Sequence, residues 1–217
     1  LSGIRVLDFS WVIAGPTAAR TLGELGARVV RVENPHLGVG WVEPFHVAYN
    51  PGKESVSLDV STEEGRRRLQ ALLQQLQPDV VIENVRQGVA ARLGIRSPRP
   101  DSVHASMTAY GPTGPWAERP GWEQTAQAAT GMQADWGGSG VPNLYPQPVN
   151  DFATGLSGAL AVLLGLLHRA QTGAGQQVAT SLAATALHLQ SPYAWRPDAA
   201  RPVGAGQVGF APLRRFY

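Results

Sequence analysis

Two acidic residues in this 217-residue chain have the type and setting for chemistry. Asp151 stands between a turn-rich stretch and the apolar run 156–167 (LSGALAVLLGLL), just before the point where a helix is expected to start. A carboxylate that stays ionised and partly desolvated can act as a covalent nucleophile. The positive end of a helix dipole favours its charged form, although the same position suits a plain N-cap aspartate. Glu123 follows Trp122 at the start of another expected helix, where a solvated surface glutamate is the simple reading. Arg92 offers the fixed fork of donors that suits a phosphate, and an ordinary surface arginine competes with that reading. The five histidines (His36, His46, His104, His168 and His188) share no ligand spacing, and there is no cysteine, so no metal site is expected.

Other motifs fail on context. No Walker A loop occurs, and the turn after the first expected strand reads SWVIAGP rather than G-x-G-x-x-G. Gly137-Gly138-Ser139-Gly140 has the composition of a phosphate cradle but is flanked by Trp and Pro, so a flexible loop is expected. Gly155-Leu156-Ser157-Gly158 lacks the nucleophile-elbow spacing.

The elements that must position these residues alternate. Residues 4–9 (IRVLDF) read as a strand, Thr17–Leu25 as a helix closed by Gly26, and 28–33 (RVVRVE) as a second strand. Strand, helix and strand in about 30 residues make a βαβ unit with a right-handed crossover. A strand at 56–59 follows, then a helix over 62–75 opened by a Ser61/Glu64 capping box. Further strands are expected at 79–83, 103–108 and 177–181, and helices at 88–93, 122–131, from just after Asp151 to about Ala170, and 181–190. The fold class is therefore α/β, a mainly parallel, Rossmann-like sheet flanked by helices. Residues 1–190 are expected to form one domain and 191–217, rich in Pro and Gly, a linker.

Composition narrows the partners. The formal net charge is +2 with no Lys/Arg block, too weak a balance to point to nucleic acid. Arg66–Arg68 sit beside Glu63 and Glu64 and read as a solvated helix face. No run reaches ~18 uninterrupted apolar residues, so a membrane partner is not expected. The absence of cysteine fits a cytoplasmic protein. With no initiator Met and an abrupt stop at LRRFY, the sequence reads as part of a longer chain.

Seven segments taken together resemble the class III CoA-transferases, the CaiB/BaiF family that includes formyl-CoA transferase and α-methylacyl-CoA racemase. They are VLDFSWVIAGP at 6–16 with LGELGARVVRVE at 22–33, NPGKESVSLD at 50–59, TEEG at 62–65, the D-V-x-x-E-N-x-x-x-G-x-x-x-x-L-G pattern from Asp79 to Gly94, Gly111–Pro115 followed by Arg119-Pro120-Gly121, Val149–Gly155, and Thr172–Val178. They stand in the family's order and cover nearly the whole chain, which resembles the first half of a family member. The stretch between Pro35 and Asn50 is shorter than is usual there.

The resemblance implies CoA transfer from an acyl-CoA thioester to a small free carboxylic acid, with CoA as substrate and no metal. Asp151 matches the aspartate that carries the covalent aspartyl-CoA intermediate, and Glu123 an acidic residue that assists it. Racemases of the family have a histidine where Trp122 stands. Tryptophan cannot take up and return a proton at neutral pH, so the chain leans to transfer. A racemase, or a CoA-binding half that needs a partner chain, is the alternative. The CoA groove is expected to involve Ile13, Ala14, Asn34, Leu58, Asn84, Val85, Arg92 and Leu93. Ile13 replaces a glutamine that covers the active site in some transferases, and Asn34 replaces a phosphate-binding arginine. Lys53 belongs to a family motif without an assigned role. A homodimer is implied, interlocked in the full-length protein.

Overall fold

A computed structural model of the chain describes residues 1–36, 43–138, 140–195, 209–211 and 214–215. Part of the shortened stretch before Asn50, Ser139 of the glycine-rich loop and most of 191–217 lie outside the described residues.

The inner strands are short and largely apolar because they are covered on both faces, as the central strands of a parallel sheet must be. β1 (Arg5–Phe9) and β4 (Val80–Glu83) are the most deeply buried. β2 (Arg28–Glu33) and β3 (Glu54–Ser57) extend the sheet on one side of β1. β5 (Val103–Thr108) and β6 (Gln176–Ser181) extend it beyond β4. Six strands pair in the order β3-β2-β1-β4-β5-β6, all parallel. That is the order of doubly wound dinucleotide-binding sheets, formed here without the glycine fingerprint.

Alternation along β1 sends Val6 to one core and Leu7 and Phe9 to the other. The first core lies under α1 (Ala14–Glu24) and α7 (Val149–Thr172), with Ala18, Leu22, Ile82, Val162 and Leu166 buried. The second lies under α3 (Glu63–Leu76), with Val30, Leu69, Leu73 and Ile95. α7 has 24 residues and is long and apolar enough to cross a membrane by composition, but one stripe of it packs on α1, β5 and β6. A Cβ on Gly155 would fall 2.5 Å from the Ala14 carbonyl oxygen, so glycine is what lets α7 lie this close to the start of α1. The opposite stripe of α7 exposes Leu156, Leu160, Leu164 and Leu167.

Several expected boundaries move. The N-cap of α3 is Thr62, whose hydroxyl accepts from Gly65 N at 3.0 Å, while Ser61 turns back to Asp59. The third strand runs 54–57 rather than 56–59: Leu58 is buried and its N–H still reaches Glu33 O, but the chain leaves the ladder there. The single helix expected over 122–131 is α5 (Glu123–Ala129), because Gly131, at φ 82°, redirects the chain into α6 (Met132–Gly137). α2 (Glu43–Tyr49) had no clear sequence signal. α4 is the short Val89–Arg92, and α8 (Leu182–Trp195) runs past residue 190. β7 (Gly209–Ala211) and β8 (Arg214–Arg215) form a separate antiparallel pair.

Candidate active site

In doubly wound sheets, ligands bind outside the carboxyl ends of the strands where the strand order reverses. Here that point lies between β1 and β4. The loop after β1 and the loop after β4 are tied together by one side chain. Asn84 Oδ1 accepts from Trp11 N at 2.9 Å, and Asn84 Nδ2 donates to Trp11 O at 2.7 Å. Its amide is thus committed to shaping the crevice. Val12, next in the loop, has φ 67°, a left-handed conformation that a β-branched residue resists. Such strain, of order 1–3 kcal/mol, persists where surrounding structure over-determines it. A Cβ on Gly15 would meet that of Ser10 at 2.2 Å, so the AGP turn closes tightly on the end of β1.

Lys53 acquires a place in this frame. Its side chain is buried and its ammonium donates to Asp8 Oδ2 (2.8 Å), Pro16 O (3.0 Å) and Asn50 Oδ1 (2.8 Å). Burial lowers its pKa, against the pull of Asp8. Asp8, fully buried, also accepts from Ser10 Oγ. This network locks the first turn of α1 to β1 and to the Asn50–Lys53 turn. It was invisible in sequence because its members are distant along the chain.

Asp151 is not the cap of α7. Pro148 is the N-cap and offers no side-chain acceptor, and Asp151 is the third residue of the helix. The capping comes from another helix. Glu123 is buried, and its Oε2 accepts from Asp151 N at 2.7 Å while Oε1 accepts from Asn150 N at 3.2 Å and Gln127 Nε2 at 2.7 Å. A carboxylate there satisfies orphan N–H groups and the helix dipole together. Glu123 is therefore no solvated surface residue. The consequence for Asp151 reverses the dipole expectation. Burial, with the adjacent charge of Glu123 adding to it, pushes the Asp151 carboxyl up to about 7. Tyr49 lies close by, its ring edge-on to Phe152 at 5.5 Å, and burial together with the charge of Asp151 raises its hydroxyl.

Asp151 opens onto two cavities. One, of about 400 Å³, lies along the Trp11–Ala14 and Asn84–Val89 loops and is walled on its far side by 117–122. The other, of about 350 Å³, lies between Val12, Ile13, Glu123 and the 144–148 loop. Val12, Trp122 and Asp151 border both. Of the residues expected from sequence, Ala14, Asn84 and Val85 share the first cavity with Asp151, and Ile13 and Glu123 share the second. Asn34, Leu58, Arg92 and Leu93 border neither. Leu58 is buried in the α3 core, Leu93 packs against it, Arg92 is exposed on α4, and Asn34 Oδ1 accepts from His36 N. Trp11 and Val12 belong to the site and lay inside the matched 6–16 segment with no role of their own assigned, and Gln127 belongs to it and carried no sequence signal.

The chain is similar to known proteins over most of its length. The model of CoA-transferase family III matches residues 1–217. The chain is 35% identical over 208 residues to the probable fatty acyl-CoA transferase Rv3272 of Mycobacterium tuberculosis, covering 88% of this chain and 52% of that protein. It is 33% identical over 204 residues to the succinate–glutarate CoA-transferase of Agrobacterium fabrum, covering 84% and 50%. The crystal structure of a CaiB/BaiF family protein from Brucella suis superposes with a TM-score of 0.81 at 30% identity, covering 97% of this chain and 61% of that one. The chain spans about half the length of the curated relatives it matches.

Proposed function

The chain belongs to CoA-transferase family III, and from that premise we propose that its protein moves CoA from an acyl-CoA thioester to a free carboxylic acid, with Asp151 as the covalent nucleophile. The observation that carries this reading is the Asp151 carboxyl at the meeting point of two cavities, released from capping by Glu123.

In the proposed course, an Asp151 oxygen attacks the acyl carbon of the thioester. The C–S bond breaks and CoA departs as thiolate with the bonding pair, leaving an acyl-aspartyl anhydride. The thiolate then attacks the aspartyl carbonyl carbon and the donor's carboxylate leaves, which gives an aspartyl-CoA thioester. The acceptor carboxylate repeats the sequence in reverse and regenerates Asp151. Only ionised Asp151 can start this course, and with its pKa pushed up to about 7 the ionised form is within reach at neutral pH. Desolvation, which raises that pKa, also leaves the ionised oxygen less hydrated and hence more reactive. Glu123 holds the backbone of Asn150 and Asp151 and so fixes where the carboxyl points. The first cavity, bordered by Arg86 and Arg119, suits the anionic CoA. The acting species in this reading is a cytoplasmic homodimer, and the outward leucines of α7 are apolar surface an assembly would cover. Trp122 beside Asp151, in place of a proton-carrying side chain, argues against the racemase alternative.

The test is intact-mass spectrometry of the complete protein after incubation with a panel of acyl-CoA thioesters, for wild type and Asp151→Asn. A CoA adduct on the peptide containing Asp151, in wild type only, is expected. No adduct with any thioester would leave a racemase or a CoA-binding protein rather than a transferase.

A further inference from the structure

The two cavities that meet at Asp151 differ in the chemistry of their walls. The first has guanidinium groups from Arg86 and Arg119 on its border, with Glu118 in the same lining and Asp151 at the shared end. The second is walled by Val12, Ile13, Trp122, Leu144, Tyr145, Pro146 and Pro148, its neutral polar side chains are Gln124, Gln127 and Gln147, and its carboxylates are Glu123 and Asp151. Among its described lining residues there is no Lys, Arg or His.

The apolar wall is built rather than incidental. Tyr145 N donates to Gln127 Oε1 at 3.0 Å, and Gln127, itself 1% exposed, donates to Glu123 Oε1 at 2.7 Å. The 144–148 loop is thus held by the same carboxylate that caps α7. Behind it the Trp136 ring packs on Tyr145 at 4.6 Å between centroids. Burial raises the Tyr145 hydroxyl, with Tyr193 and Asp135 adding to the shift.

We propose that this second cavity is the acyl subsite and that it takes an apolar monocarboxylic acyl group, aliphatic or aryl, in preference to a dicarboxylic one. The inference rests on the transferase reading of Asp151 and adds the substrate class to it. Once the reacting carboxyl is at Asp151, the rest of the acyl group must lie against this wall. An alkyl or aryl tail gains by leaving water. A second carboxylate would meet no cation among the described lining residues and would face the charge of Glu123, which is costly on both counts. The first cavity, with its arginines, is left for the anionic CoA.

The experiment measures exchange of isotopically labelled free acid into its own CoA thioester by the complete protein, which requires no knowledge of the natural acceptor. Butanoate, octanoate and benzoate are compared with succinate and glutarate. The expected result is a kcat/KM for the apolar acids about 100-fold or more above the dicarboxylates, in line with what burial of an unpaired charge costs. Leu144→Arg, at a position 44% exposed and so tolerant of change, is expected to raise the succinate-to-butanoate ratio about tenfold. A wild type that favours succinate or glutarate, or a Leu144→Arg variant with the wild-type ratio, overturns the inference. The mass-spectrometric adduct separates the two levels. An Asp151 adduct with succinyl-CoA but not octanoyl-CoA sinks the subsite inference and leaves the transferase standing, whereas no adduct with any thioester sinks both.

Discussion

Asp151→Asn should make the folded protein more stable, and by an amount that grows with pH. The carboxyl of Asp151 rises from an ordinary 3.8 to about 7 on folding. At ~1.4 kcal/mol per pKa unit, that rise corresponds to roughly 4 kcal/mol, the cost of placing the ionised form in this site. Solvent relaxation trims the figure, so about 2–4 kcal/mol is expected. The sign follows from proton binding. Between pH ~4 and ~7 the folded state holds a proton that the unfolded state has lost, so stability falls as pH rises through that window. Below it the cost is absent, and above it the cost is complete. Asparagine has nearly the same shape and no charge, so the variant should match wild type near pH 4 and exceed it by about 2–4 kcal/mol at pH 8. The assay is equilibrium urea denaturation of the complete protein and the variant at pH 4, 5, 6, 7 and 8, read as the difference in unfolding free energy. A difference that stays flat with pH, or a variant less stable than wild type at pH 8, would refute the reasoning.

Two further perturbations test the frame around Asp151. Glu123→Gln removes the like charge beside it, so the pH midpoint of CoA-adduct formation should fall below about 7 yet stay above 3.8, because burial, the larger cause, remains; an unchanged or higher midpoint in the pH-rate profile would contradict this. The same variant sets an amide NH₂ against one of the three donors that Glu123 now accepts, which should cost about 1–3 kcal/mol in denaturation. Lys53→Met strips the buried Asp8 of its close cation, with Arg31 Nη1 3.9 Å away, and should cost about 3–5 kcal/mol of stability by denaturant titration; a loss below about 1 kcal/mol would mean the pair is not structural.

The parts of the fold legible in sequence are those written in local patterns. Val6–Phe9 and Val80–Glu83 announce themselves as buried parallel strands because both faces must be apolar. The helix over 156–167 announces itself by composition. What failed to show depends on partners far along the chain. Thr62, not Ser61, caps α3 because Ser61 Oγ finds Asp59 Oδ1 first, and both residues are equally good caps by type. Lys53 looked like one motif residue among several, yet its three acceptors come from β1, α1 and the turn at Asn50. Val12 gave no warning either, since a β-branched residue at φ 67° contradicts its own propensity and is held there by the tie between Trp11 and Asn84.

Asp151 itself was legible as a position but not as a chemical state, and the reason lies in Glu123. A carboxylate near a helix N-terminus is ordinarily drawn onto the free N–H groups, where it becomes a poor nucleophile with a low pKa. Here those N–H groups are taken by a glutamate 28 positions earlier, on a different helix. The two carboxylates thereby divide what one would otherwise do. Glu123 takes the hydrogen bonds and the helix dipole, is buried, and also anchors the 144–148 wall through Gln127. Asp151 is left with the cavities, less water, and a like charge for a neighbour, which together place its proton affinity in the range where it can be ionised at neutral pH without being inert. Sequence spacing offers two acidic residues and no order between them. The order comes from a backbone hydrogen bond that only the packing of α5 against α7 creates.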